Sequence, residues 1–173
     1  KGDLTTGVMA YGLANGEAII FKREYKITYP DDKRLITPKI TYPIGESLVK
    51  VSQQGEPLSM LAVQSNEEQS TVVGLTDSNK LVLLALVREE SFMDEDEFTI
   101  EESRSEIQLP DVEVITHLRV DIDQRELYLA DDDGFLLYYD ISDVTQPHLI
   151  QKIKAVPSDV DITALEFLTG GIS

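Results

Sequence analysis

The sequence predicts an all-β, β-propeller-like fold of about three four-stranded antiparallel blades, a partial ring. Three observations predict it. Short runs rich in Val, Ile, Leu, Tyr and Thr alternate with clusters of Asp, Asn, Gly and Pro, the signature of strands and turns. No long stretch carries the 3.6-residue apolar period and end caps of a helix. Tight-turn signals recur at a wide, regular spacing, with Gly16, Asn79 and Gly134 standing 63 and 55 positions apart. A period of that length is the mark of a blade or another repeated array.

The first unit, residues 1–50, opens on a hairpin. Asn15-Gly16 joins Val8–Leu13 to Glu17–Phe21, and Leu35–Tyr42 is the outer strand. Asn-Gly supplies the positive φ that a two-residue hairpin needs. The second unit, residues 56–110, has an inner strand over Leu58–Val63 and a hairpin of Thr71–Leu75 and Lys80–Val87. Ser78-Asn79 makes its turn, and Phe98–Leu109 lies outermost. The third unit, residues 112–157, is the most regular. Ile115–Val120 is its inner strand, Asp133-Gly134 joins Glu126–Ala130 to Phe135–Ile141, and His148–Val156 is its outer strand. Residues 160–173 hold one more inner strand, Ile162–Leu168, belonging to a further or circularly completed blade. Ile162-Thr163-Ala164-Leu165-Glu166-Phe167 repeats the pattern of Ile115-Thr116-His117-Leu118-Arg119-Val120, 47 residues later.

The units are thus circularly offset: a hairpin without an inner strand comes first, and an inner strand without a hairpin comes last. Three blades do not close a ring, since propellers typically use about four to eight. The offset predicts a homodimer in which two arcs close a six-bladed ring. Lys1-Gly2-Asp3 carries neither an initiator Met nor a signal-peptide pattern, and both chain ends are expected to be cuts from a longer protein.

Charge narrows the partners. Fifteen Lys and Arg face 32 Asp and Glu, a net charge of −17. Such a surface repels nucleic acid, anionic lipid and free phosphate. The ordinary consequence is a solvated surface; the sharper one is a cationic partner. The longest apolar run, Leu81–Val87, is strand-sized and far short of the roughly 18–20 residues of a membrane helix. There are no cysteines, which excludes disulfides, thiolate metal ligands and a Cys nucleophile.

No catalytic, cofactor-binding or metal-binding residue is expected, and the chain reads as a non-enzyme. His117 and His148 are too few and too far apart for zinc, which takes three or four converging ligands. Asp131, Asp132 and Asp133 before Gly134, with Asp121 and Asp123, lack EF-hand spacing and read as turn residues rather than calcium ligands. Met93-Asp94-Glu95-Asp96-Glu97 reads as a solvated connection. Gly170-Gly171 lacks the following Lys-Ser/Thr of a phosphate loop. Arg88, Arg104, Arg119 and Arg125 are scattered among carboxylates and read as salt-bridge partners.

Two resemblances add a setting. The core of the third unit, Leu127-Tyr128-Leu129-Ala130-Asp131-Asp132-Asp133-Gly134-Phe135-Leu136-Leu137-Tyr138-Tyr139-Asp140-Ile141-Ser142-Asp143, resembles blades of LVIVP-type and WD-type propellers, with Tyr139-Asp140 where a Trp-Asp dipeptide would stand. The closing Ile162-Thr163-Ala164-Leu165-Glu166-Phe167-Leu168-Thr169-Gly170-Gly171-Ile172-Ser173 looks like a blade start in the large extra domain of some gammaproteobacterial phosphate ABC transporter permeases. That resemblance, with the blade before it, covers about a third of the chain. It implies an inner-membrane parent, a periplasmic location for this domain, and a phosphate-binding protein and an ATPase subunit as partners. No residue of a permease core is present, so no transport residue is implied here. The alternative is a protein-binding scaffold propeller unrelated to transport.

Overall fold

In the computed structural model residues 4–45, 48–93, 97–157 and 159–167 are described. They form twelve strands in three antiparallel sheets, with one short 3-10 turn at Pro30–Asp32 as the helical element among the described residues. The first sheet contains β1 (Leu4–Gly12), β2 (Glu17–Thr28), β3 (Leu35–Thr41) and β4 (Leu48–Lys50). The second runs β5 (Leu58–Ser65), β6 (Gln69–Thr76), β7 (Lys80–Glu90), β8 (Phe98–Gln108). The third runs β9 (Ile115–Val120), β10 (Glu126–Asp131), β11 (Phe135–Asp140), β12 (His148–Lys154). The second and third sheets are simple meanders, each the four-strand unit of a blade.

The three turn positions are structurally equivalent. Gly16, Asn79 and Gly134 have φ of 79°, 61° and 83°. Each backbone N–H closes the turn onto a carbonyl three residues earlier, on Leu13, Thr76 and Asp131. Each carbonyl then accepts from the end of the outer strand: Gly16 from Val51 and Ser52, Asn79 from Leu109, Gly134 from Ala155 and Val156. This repeat fixes the alignment of blades. β1 corresponds to β6 and β10, β2 to β7 and β11, and the first blade has no counterpart of the inner strands β5 and β9 among the described residues.

One expected strand gains a companion and another does not form. The outer strand expected over Leu35–Tyr42 is present as β3, Leu35–Thr41, but it does not hold the edge alone. β3 pairs with Lys22–Thr28 and β4 with Glu17–Ile19, so two short strands share the edge that β8 and β12 each occupy alone. The sequence between them holds Pro43 and Gly45, the latter at φ 75°, and proline cannot donate to a ladder. The strand expected over Ile162–Leu168 does not form over residues 162–167, which pair with no strand among the described residues; Leu168 lies outside them. A period-2 apolar pattern specifies which side chains turn inward, but a strand exists only where a neighbour accepts its backbone hydrogen bonds.

The core lies between blades, and the second blade supplies both halves. One cluster joins Val73, Leu75, Leu81 and Leu83 to Leu118, Leu127, Leu129 and Ile141 of the third blade. The other joins Val72, Val82, Leu84 and Leu86 to Ala18, Ile20, Val49 and Val51 of the first. Adjacent residues of β6 and β7 thus bury on opposite faces, which is why Leu81–Val87 is continuously apolar instead of alternating. Each fully buried aliphatic side chain is worth about 1.5–3 kcal/mol.

Polar contacts tie the blades as well. Thr71 donates to Gln124 Oε1 at 2.7 Å in a fully buried contact, and Gln124 Nε2 donates to the Gln69 carbonyl at 3.0 Å. Arg104 donates to the Val51 and Lys50 carbonyls, each at 2.7 Å, pinning β8 to the end of the first blade's outer edge.

Candidate interaction surfaces

The strand register divides each terminal blade into a packed face and an outward face. In the first blade Ala18 and Ile20 are buried against the second, so Ile19, Phe21, Arg23 and Tyr25 point the other way. Their cross-strand partners are Leu48, Met9, Ile40 and Pro38. The outward face is therefore largely apolar, with Glu17 opposite Lys50 at its turn end and Arg23 among the apolar side chains, its guanidinium 5.5 Å from the Tyr25 ring centre. Tyr11 stacks on Phe21 at 6.0 Å and is still 55% exposed; Ile40 is 49% exposed.

The third blade ends similarly. Leu127, Leu129, Leu137 and Tyr139 face the second blade, which turns Tyr128, Leu136 and Tyr138 outward. Tyr128 and Tyr138 are cross-strand partners stacked at 4.8 Å, and the Tyr138 hydroxyl donates to Glu126 at 2.9 Å. That carboxylate acceptor pushes the Tyr138 pKa up to about 12, with burial adding to it; burial is the first cause of the rise at Tyr128. The segment after the blade reaches this face at Glu166 and Phe167. Phe167 meets Tyr128 edge-on at 5.1 Å, and Glu166 reaches Arg119 at 3.4 Å.

The carboxylates that the sequence singled out are held by their own turns. Asp121 accepts from the backbone N–H of Asp123, Arg125 and Glu126, and Asp131 from that of Phe135. Asp132 and Asp133 are exposed at the hairpin tip. Asp140 and Asp143 each accept a backbone and a hydroxyl donor, from Ser142 and Thr145, which hold both below the usual carboxylate range. His117 contacts Thr116 in β9 and pairs across to Ala130, whereas His148 starts β12 opposite Asp140, so the two histidines occupy opposite edges of one sheet. Among the described residues no three His, Asp or Glu side chains converge to hold a metal ion. Asp94, Glu95, Asp96, Gly170 and Gly171 lie outside the described residues.

The arginines divide. Arg104 pairs with Glu102 at 2.8 Å and Arg119 with Glu166, as expected. Arg88 instead lies 3.9 Å from the centre of the Phe98 ring, a cation–π contact. Two clefts open beside the first blade. One, about 670 Å³, is a wedge lined by Ile44, Val49, Leu86, Phe98 and Ile100, with Lys50 and Glu102 as its charged groups. The other, about 520 Å³, mixes Lys22, Arg88, Glu24, Glu67 and Glu90, and Lys22 is already paired with Glu24 at 3.0 Å. Neither concentrates charge of one sign.

Sequence reasoning missed the aromatic pair Tyr128 and Tyr138 as a surface, although their positions alternate with the buried Leu127, Leu129, Leu137 and Tyr139. It also missed Gln124, whose φ of 58° turns its amide into the interface with the second blade. No sequence signal marks a glutamine for the left-handed region.

The fold is that of an open, propeller-like arc of three blades with apolar faces at both ends. No protein-family model and no curated protein matches the chain. No helix among the described residues is long and apolar enough to cross a membrane.

Proposed function

We propose that this chain is a non-catalytic accessory domain of a phosphate ABC transporter permease, standing on the periplasmic side of the inner membrane and supporting phosphate import by binding other proteins. The observation that carries the binding role is the apolar surface left exposed on the outward face of the first blade and at Val112 and Ile122, against carboxylates engaged in their own turns. Contiguous exposed apolar surface is the usual mark of a protein interface. The transport setting rests on the resemblance of Ile162–Ser173 and the blade before it to the permease extra domain. A net charge of −17 disfavours phosphate capture by the domain itself, leaving docking or regulation of the transporter as its contribution.

Two measurements test this. Calorimetry with inorganic phosphate at moderate salt is expected to give no measurable heat of binding; a micromolar Kd would overturn the accessory role. In cells expressing the parent protein, photo-crosslinkers placed at Val112 and Ile122, exposed apolar side chains in turns outside the blade faces, are expected to capture the phosphate-binding protein or another transporter subunit. A parent gene without transmembrane spans flanking this segment would favour the scaffold reading and remove the transport one.

A further inference from the structure

The two open faces differ in charge as well as position. Residues 1–50 carry eight Lys and Arg against six Asp and Glu, a net +2 in a chain of net −17. Residues 110–167, the third blade and the segment after it, carry four against thirteen, a net −9. The charge asymmetry continues on the faces. The first blade's outward face carries Arg23 and Lys50 against Glu17, whereas on the third Glu126 and Asp140 flank the tyrosines and Arg119, beside Tyr128, is paired with Glu166.

Backbone pairing is complementary too. In the second and third blades β6 and β10 are each flanked by an inner strand, β5 and β9. Among the described residues their equivalent β1 pairs with β2 alone, which leaves its other edge without a described strand. Residues 161–167 have the sequence pattern of β9, present Ile162, Leu165 and Phe167 half-buried, and pair with no strand. Among the described residues, then, the first edge has no inner strand and the inner-strand segment has no sheet.

We propose that the outward face of the first blade receives the outward face of the third blade of a second copy of this chain, with residues 161–167 of that copy laid along β1. A two-fold axis through the ring centre satisfies both ends of both arcs at once. The product is a closed six-bladed ring, a size within the usual range for propellers. Within one arc the same surfaces lie at opposite ends, separated by the second blade, so one copy does not satisfy them. Closure of this kind also removes the free β1 edge, which otherwise invites uncontrolled pairing.

Sedimentation equilibrium of the 173-residue chain at tens of micromolar is expected to give twice the 19.4 kDa of one chain. A folded monomer overturns the proposal, and so does a mass that keeps growing with concentration, which would mean open head-to-tail chains. Two exposed side chains provide the specific test: Ile40 on the first blade and Ile153, 43% exposed and paired with Leu136, on the third. Neither is in the core, and circular dichroism checks that each variant keeps its fold. Ile40→Asp and Ile153→Asp are each expected to weaken the dimer by roughly tenfold or more, the scale of an interface hot spot. Mixing the two variants is expected to restore a dimer, because one of its two interfaces is then free of substitutions. If Ile40→Asp dissociates the dimer and Ile153→Asp does not, first blades pair with each other and the head-to-tail ring is wrong. If neither variant dissociates it, the dimer lies elsewhere and the proposal fails equally.

Discussion

Replacing Gly134 with valine puts a β-branched residue at φ 83° and drives a Cβ to 2.7 Å from both the Val156 carbonyl oxygen and Val156 Cγ2. The first effect is backbone strain, about 1–3 kcal/mol for a residue held in a sparsely populated region. The second has no soft outlet, because the nearest polar atom belongs to the backbone of the outer-strand end. Moving that backbone stretches the two bonds that Gly134 accepts, from Ala155 at 2.9 Å and Val156 at 3.3 Å, each worth about 0.5–1.5 kcal/mol. Together the loss is roughly 2–6 kcal/mol, a large share of the 5–15 kcal/mol of a typical domain. Gly55→Val is the internal reference. Gly55 has φ 75°, but a Cβ there meets only the Asn15 carbonyl oxygen at 3.5 Å, an ordinary contact. It shares the strain and not the collision. Urea unfolding of both variants and the parent, at one protein concentration, gives the comparison. Gly134→Val is expected to have the lower midpoint by a clear margin. Equal midpoints would refute the collision argument, and an unchanged Gly134→Val midpoint would refute the turn itself.

Two further predictions concern interactions inside and at the end of the arc. Thr71→Val leaves Gln124 Oε1 without its 2.7 Å donor in a buried site, and a loss of about 1–3 kcal/mol in urea unfolding is expected; a cost under about 0.5 kcal/mol would mean that water or a rearranged amide replaces the donor. Tyr138 is expected to ionise near its raised value of about 12 in the folded chain, against about 10 unfolded. Its contribution to stability is therefore complete below the unfolded value and is lost as pH climbs through the folded one; tyrosinate absorbance should show a late step that Glu126→Gln moves to lower pH, and an unmoved step would remove Glu126 as the cause.

The fold class was legible because blades announce themselves locally. Asn15-Gly16, Ser78-Asn79 and Asp133-Gly134 encode positive φ in residues that tolerate it, and the strands on either side carry enough Val, Ile and Leu to be recognised without any partner. The continuous apolar run of Leu81–Val87 read as a strand by its length, and only the structure shows that β7 lies between two cores. The turn reading of Asp121 and Asp131 was also local, since a carboxylate that closes its own turn needs only the next few residues. What the sequence by itself determined, then, is the order of strands, their turns and which side chains are apolar. Tertiary structure decided the rest, because those features depend on neighbours far along the chain. It split the first blade's outer edge into β3 and β4 and left residues 161–167 without a sheet. It carried Gln124 across to Thr71 and Arg104 to Lys50 and Val51. It also sorted equally apolar strands into covered and uncovered faces: Ile20 and Ile40 look alike in sequence, yet one is fully buried and the other 49% exposed. A side chain's hydrophobicity sets what it gains from burial, and only the packing of blades sets whether a partner is there to bury it.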